Sequence, residues 1–122
     1  MKNILFFLIC FLIFSCQEQT KIKPNNFKIG KYKTVLKDDN ATSIAIRNDT
    51  FQIETFNQKT DTFNIEWVSN FEYILLKKNP ITMLDSTPFH VKITAVKKDS
   101  YDFNAYYKGS NFKQKGTAFK LE

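Results

Sequence analysis

Few side chains in this sequence could carry chemistry, and their spacing narrows the choice. The single histidine, His90, is a candidate general base near neutral pH. It alternates with Phe89 and Val91, however, which places it on the outer face of a strand. Glu54 and Glu66 are candidates for paired acid–base work across neighbouring strands; outward carboxylates opposite lysines are the plainer reading. Arg47 is the sole arginine and stands beside Asn48-Asp49. It is a candidate anion grip at a barrel mouth, and a cross-strand pair with Glu54 or Glu66 is the competing reading. Trp67 and the group Tyr101, Tyr106 and Tyr107 could form a ligand or glycan platform. Trp67 reads as core, whereas Tyr106, opposite in phase to Tyr107, reads as an outward contact residue. Gly-x-Ser-x-Gly, His-Glu-x-x-His and phosphate-cradling glycine loops are absent. One His and two Cys exclude three-His and His-pair metal motifs. No enzymatic activity, metal or cofactor is expected. A buried carboxylate or histidine with a strongly perturbed pKa would reopen the catalytic reading.

The N-terminus carries a more specific signal. Met1-Lys2-Asn3 is followed by the apolar run Ile4 to Phe14 and then by Ser15-Cys16. A positive start, a short apolar core and a small residue before the cleavage point predict a secretory signal peptide. Eleven helical residues rise about 16 Å, too little to cross a hydrocarbon core of about 30 Å. Leu12-Ile13-Phe14-Ser15-Cys16 resembles the bacterial lipobox, in which an aliphatic and a small residue precede an obligatory Cys. The resemblance covers Ile13, Ser15 and Cys16; Phe14 is bulkier than the residue usual in its place. It implies that the Cys16 thiol becomes a diacylglyceryl thioether and the new N-terminus. One acyl chain holds marginally at about 0.8 kcal/mol per buried methylene, whereas two or three anchor stably. Gln17 is not the Asp of inner-membrane retention, so outer-membrane attachment is expected. Cys10 would be lost with the signal, leaving no disulfide.

Composition bounds the remainder. The 122 residues are 43% hydrophobic and 25% charged, with three Gly and three Pro, as in one globular domain. The net charge of +6 falls to +5 once Lys2 is removed. It is carried almost wholly by dispersed lysines interleaved with Asp and Glu. Sequence-reading nucleic-acid proteins lean on the arginine fork, so no nucleic-acid partner is expected. Residues 1–15 read as signal peptide, 16–26 as lipidated N-terminus and polar tether, and 27–122 as the folded domain.

From Phe27 onward the hydrophobic period is two. Phe27 and Ile29, re-phased at Gly30 by a bulge onto Tyr32 and Thr34, form a first strand. Ile44 and Ile46; Phe51 and Ile53; Phe63, Ile65 and Trp67; and Phe71, Tyr73 and Leu75 mark the next four inward faces. Phe89, Val91, Ile93 and Ala95; Tyr101, Phe103, Ala105 and Tyr107; and Thr117, Phe119 and Leu121 mark the last three. Short turns such as Asn48-Asp49, Asn57-Gln58-Lys59 and Lys98-Asp99 join them. The fold class is therefore all-β: an up-and-down antiparallel meander of about eight strands forming a small barrel or strongly coiled sheet. Bulky inward residues predict a mostly filled interior. The connection from Lys78 to Thr87, with the apolar knot Ile81, Met83 and Leu84, is expected to be a loop or single turn packed over an open end.

Phe27-Lys28-Ile29-Gly30-Lys31-Tyr32 resembles the Gly-x-aromatic start of lipocalin-like barrels, which implies an aromatic plug in the barrel floor. The lipobox and this start, with Ile46-Arg47-Asn48-Asp49, Asp61-Thr62-Phe63, Ile65-Glu66-Trp67 and Gly116-Thr117-Ala118, resemble small lipoproteins of flavobacteria. Some of those carry the label DNA topoisomerase IV. That activity needs a Tyr nucleophile, a magnesium-binding carboxylate cluster and several large domains, which a lipidated chain of this size does not hold. Asp85-Ser86-Thr87 resembles an O-glycosylation signal of Bacteroidetes, which makes Ser86 a candidate acceptor. The functional expectation is a monomeric envelope lipoprotein, held in the membrane by its lipid. It would act as a non-catalytic binding or interaction module toward envelope proteins or glycans. A lipocalin-like carrier of a small apolar ligand is the alternative, and cavity volume separates the two. A tight interior favours the interaction module; an inward-lined hole above about 300 Å³ favours the carrier.

Overall fold

The structure, a computed structural model, describes residues 24–122. The expected signal peptide, lipobox and Cys16, and the tether up to residue 23, lie outside the described residues. A 3₁₀ turn, Pro24–Phe27, leads into the barrel and takes in residues whose polar composition reads as tether. Eight strands follow: β1 (Gly30–Leu36), β2 (Thr42–Arg47), β3 (Phe51–Phe56), β4 (Lys59–Ser69), β5 (Glu72–Lys77), β6 (Phe89–Val96), β7 (Ser100–Tyr107) and β8 (Gln114–Lys120).

Each strand pairs antiparallel with the next, and β8 returns to β1 from Tyr32↔Lys120 to Leu36↔Gly116, closing the barrel. Closure leaves no free sheet edge. The expected meander is thus observed in its fully closed form. The β3–β4 connection is a two-residue hairpin whose Asn57 and Gln58 both take positive φ (49° and 67°), the geometry that matches the twist of the flanking strands. Bulges interrupt the ladders between Trp67 and Ser69 and between Ile93 and Ala95. The second turns Ala95 out to solvent.

The two ends of the barrel differ. At one end the 3₁₀ turn places Phe27, fully buried, against Tyr32 and Tyr101, with ring centroids 6.4 and 5.1 Å away. Tyr32 donates from its hydroxyl to the Ile29 carbonyl at 2.6 Å, fixing the corner between plug and wall. Phe27, Tyr32 and Tyr101 together form an aromatic floor at this end. At the opposite end, the loops 37–41, 57–58, 78–88 and 108–113 surround an open mouth. In the 78–88 loop the apolar knot does not pack over that mouth: Ile81 and Met83 are each 90% exposed. Asp85 instead accepts from the Ile81 and Thr82 amides and shapes the turn by itself. These contacts, the Ile81 amide foremost, lower the Asp85 pKa.

Three strands have their faces reversed relative to the hydrophobic pattern. In β2 the inward residues are Ser43, Ala45 and Arg47, and Ile46 is 53% exposed. In β3 they are Gln52 and Glu54, with Ile53 outside, where it pairs with Ile46. In β8 Ala118 is inward and Phe119 outward. In strand-side periodicity a single residue of offset exchanges the two faces completely, and on β2 and β3 the phase that turns in is the one carrying Arg47 and its partner Gln52.

The bulge expected at Gly30 is also corrected. The β1–β2 register runs unbroken from Gly30↔Arg47 to Val35↔Thr42, and Phe27 belongs to the plug rather than to a strand. Gly30 is instead the corner residue, at φ 121°, and a Cβ there would collide with the Glu122 carbonyl. That carbonyl accepts from the Lys31 amide at 3.0 Å. Gly30→Ala is therefore expected to lower stability by about 1–3 kcal/mol, read as a fall in the thermal unfolding midpoint.

Candidate functional site

Arg47 organises the closed end. It is 4% exposed, and each of its three guanidinium nitrogens donates a hydrogen bond. Nε bonds Gln52 Oε1 at 2.9 Å and Nη1 bonds the Phe27 carbonyl at 2.7 Å. Nη2 reaches the hydroxyls of Tyr73 at 3.1 Å and Tyr101 at 2.9 Å, which bond each other at 2.8 Å. The planar group also lies over the rings of Tyr32 and Tyr73, 4.4 and 4.7 Å from their centroids, so ring quadrupoles add to the hydrogen bonds. Burial opposes the charge, but the Tyr73 and Tyr101 oxygens outweigh it and hold the Arg47 pKa above its ordinary value. Burial likewise pushes the Tyr32 phenol up to about 12 and Tyr73 well above its ordinary value, against the pull of Arg47.

Above this floor lies a cavity of about 490 Å³. Its two sides differ in chemistry. Thr34, Ser43, Gln52 and Glu54 from β1 to β3 make a polar wall; Phe63, Leu75, Phe89, Val91 and Phe103 from β4 to β7 make an apolar one. Arg47 and Tyr73 form the base, and Asp39, Phe56 and Lys59 stand towards the mouth. The expectation of a filled interior is thus overturned. The inverted phase of β2 and β3 puts Ser43, Gln52 and Glu54 where Ile and Phe were expected, and these shorter or polar side chains leave the volume open.

Glu54 occupies the middle of the polar wall, one strand position across from Asp61. Ser43 Oγ donates to its Oε1 at 2.9 Å. Burial raises its pKa, opposed first by the Ser43 hydrogen bond and then by the field of Arg47. Asp61 is differently placed, because Lys77 Nζ lies 3.5 Å from it and 3.6 Å from Asp85. A desolvated carboxylate of this kind is what a catalytic reading looks for. Its neighbours are Ser43, Gln52 and Asp61, and the Glu54 carboxylate, which already accepts from the Ser43 hydroxyl, can accept further hydrogen bonds from a donor in the cavity.

The other candidate residues disperse. Arg47 lies inside, at the closed end, and not outward at the mouth; its partners are Gln52, tyrosines and a carbonyl instead of a cross-strand Glu54 or Glu66 salt bridge. Glu54 faces inward, against the expectation, while Glu66 faces solvent, so the two do not meet. Trp67 packs on the core beside Tyr73, at 4.8 Å between centroids, and its buried indole N–H finds no acceptor. Tyr106 lies on the outer wall as expected, stacked on His90 at 5.3 Å and 8°, remote from the cavity. Ser86 is exposed in the 78–88 loop. Among the described residues, no three His, Cys, Asp or Glu side chains cluster as a metal site. Sequence reasoning missed Ser43, Gln52 and Glu54 as one wall. The available signal was their shared phase with Arg47 on two consecutive strands.

Fold and site together define a closed eight-stranded meander barrel with a plugged floor and a two-faced inner cavity. No protein family, curated protein or solved structure matches the chain.

The raised pKa of Glu54 has a consequence for stability. Between its ordinary value of 4.5 and its higher value in the fold, the folded protein binds more protons than the unfolded chain. Stability contributed by this group therefore falls as pH rises through that window, and the penalty persists above it. Glu54→Gln is expected to raise the unfolding midpoint by about 3 °C at pH 8 and to leave it nearly unchanged at pH 4, as read by circular dichroism.

Proposed function

We propose that this protein is an envelope lipoprotein, anchored through Cys16, whose barrel binds a small amphiphilic molecule. The observation that carries the reading is the cavity of about 490 Å³ between a polar and an apolar wall. It lies within the range of small-molecule sites and exceeds the volume that separates a carrier from a tightly packed interaction module. The apolar wall supplies burial, at roughly 25 cal/mol for each Å² removed from water; the polar wall sets orientation. The ligand enters at the mouth, since the other end is closed by Phe27, Tyr32 and Tyr101.

Binding is tested with N-phenyl-1-naphthylamine, an apolar dye that brightens out of water. The protein is expected to give saturable one-to-one enhancement. Val91→Trp, which fills the cavity from the apolar wall, should weaken it at least tenfold while the barrel still unfolds cooperatively. Absence of saturable enhancement in the parent protein would overturn the carrier reading in favour of an interaction module. The anchor is tested separately by Cys16→Ser. Mass spectrometry should show uncleaved or unlipidated precursor that lacks the diacylglyceryl mass. A variant still acylated and membrane-bound would overturn the lipobox assignment.

A further inference from the structure

Resting on the binding reading above, we propose that the cavity's ligand carries a cationic, hydrogen-bond-donating head, an organic ammonium on an apolar body, and that Glu54 receives it. The inference comes from counting which charges inside the barrel are already committed. Arg47 presents no free nitrogen, because Nε, Nη1 and Nη2 all donate to protein acceptors. Lys77 is held between Asp61 and Asp85. Lys59, at the rim, is exposed to solvent. The interior therefore offers an incoming anion no uncommitted cation below the rim, and it sets two carboxylates, Glu54 and Asp61, across adjacent strands.

Of these two, Asp61 already has its ammonium partner. The ion pairs among the described residues join Lys77 to Asp61 and Asp85, and Lys92 to Glu72; none includes Glu54. Ser43 supplies a neutral hydrogen bond to one oxygen. A carboxylate drawn partly out of water gains most from a charge-assisted donor, and an ammonium provides one. The apolar wall opposite, with Leu75, Val91 and Phe103, takes the body of such a ligand. A metal cation is not favoured, since no three suitable ligands gather there among the described residues. In a chain whose formal charge is +6 in full and +5 without Lys2, an inner wall that prefers cations also runs against the charge of its own surface, so the preference belongs to the cavity.

The test uses three probes that share one chain and differ in the head: hexylammonium chloride, hexan-1-ol and sodium hexanoate. Each is titrated calorimetrically at pH 7.5 into the full acylated protein in phosphatidylcholine nanodiscs, with empty nanodiscs as the blank. Hexylammonium is expected to bind at least tenfold more tightly than hexan-1-ol, and hexanoate more weakly than either. Glu54→Gln should weaken hexylammonium about tenfold and hexan-1-ol by much less, while cooperative thermal unfolding and retained binding of the naphthylamine dye, which has no cationic head, show that the cavity is intact. Glu54→Asp, keeping the charge, should retain part of the preference. Equal binding of hexylammonium and hexan-1-ol, tightest binding of hexanoate, or an unchanged hexylammonium affinity in Glu54→Gln would each overturn the proposal. If none of the three binds while the naphthylamine dye does, the cationic head is wrong and the carrier reading stands; if the dye also fails, both fall.

Discussion

A buried guanidinium is the constraint around which this barrel is arranged. Taking an arginine out of water is costly unless its donors find acceptors of fixed position. Arg47 finds four, on the plug, on β3, on β5 and on β7. The same contacts tie the 3₁₀ turn to the walls, since the Phe27 carbonyl is held by Arg47 and the Phe27 ring by Tyr101. The floor is thus a polar network within an aromatic shell. Its geometry requires that the β2 side chains of one phase, and not the other, turn inward.

That requirement explains what could and could not be read from the chain. Strand positions, turns and the meander order follow from the period-two pattern and from short polar breaks, and Ile65, Tyr73, Leu75, Val91, Ile93, Tyr101, Phe103 and Ala105 all take the inward places expected of them. The faces of β2, β3 and β8 do not follow. There, hydrophobicity points Ile46, Ile53 and Phe119 inward, while the register with Arg47 points Ile46 and Ile53 out, and pairing with Lys33 on β1 and Ser100 on β7 fixes Phe119 on the outer face. Ile46 and Ile53 then protect each other as a cross-strand pair on the outer surface. Hydrophobic alternation weighs each strand alone, whereas a buried network weighs several strands at once. The polar wall was hidden for the same reason, because Ser43, Gln52 and Glu54 acquire meaning only after Arg47 is placed inside.

The reversal has a volumetric effect as well as an electrostatic one. A barrel of eight strands can be filled by its own side chains, and the aromatic-rich sequence suggests that it is. With isoleucines outside and Ser43 and Ala45 inside, the β1 to β3 side lacks the bulk to meet the aromatic wall opposite. The space left is lined unequally, as a site for an amphiphile requires, and its Glu54 carboxylate comes from β3, whose phase follows that of Arg47, with Asp61 across from it on β4. Floor and cavity are two results of one choice of register.

The two poles of the barrel also give the molecule a direction. The chain comes into the fold at the plugged pole, through Pro24–Phe27, so an acyl group on Cys16 would be attached from that side. Seven residues separate Cys16 from Pro24, and at no more than about 3.6 Å each they reach at most about 25 Å. If the proposed anchor holds, the plugged pole is the one nearest the bilayer and the aperture lies at the far pole, so that whatever enters the barrel would arrive from the aqueous side.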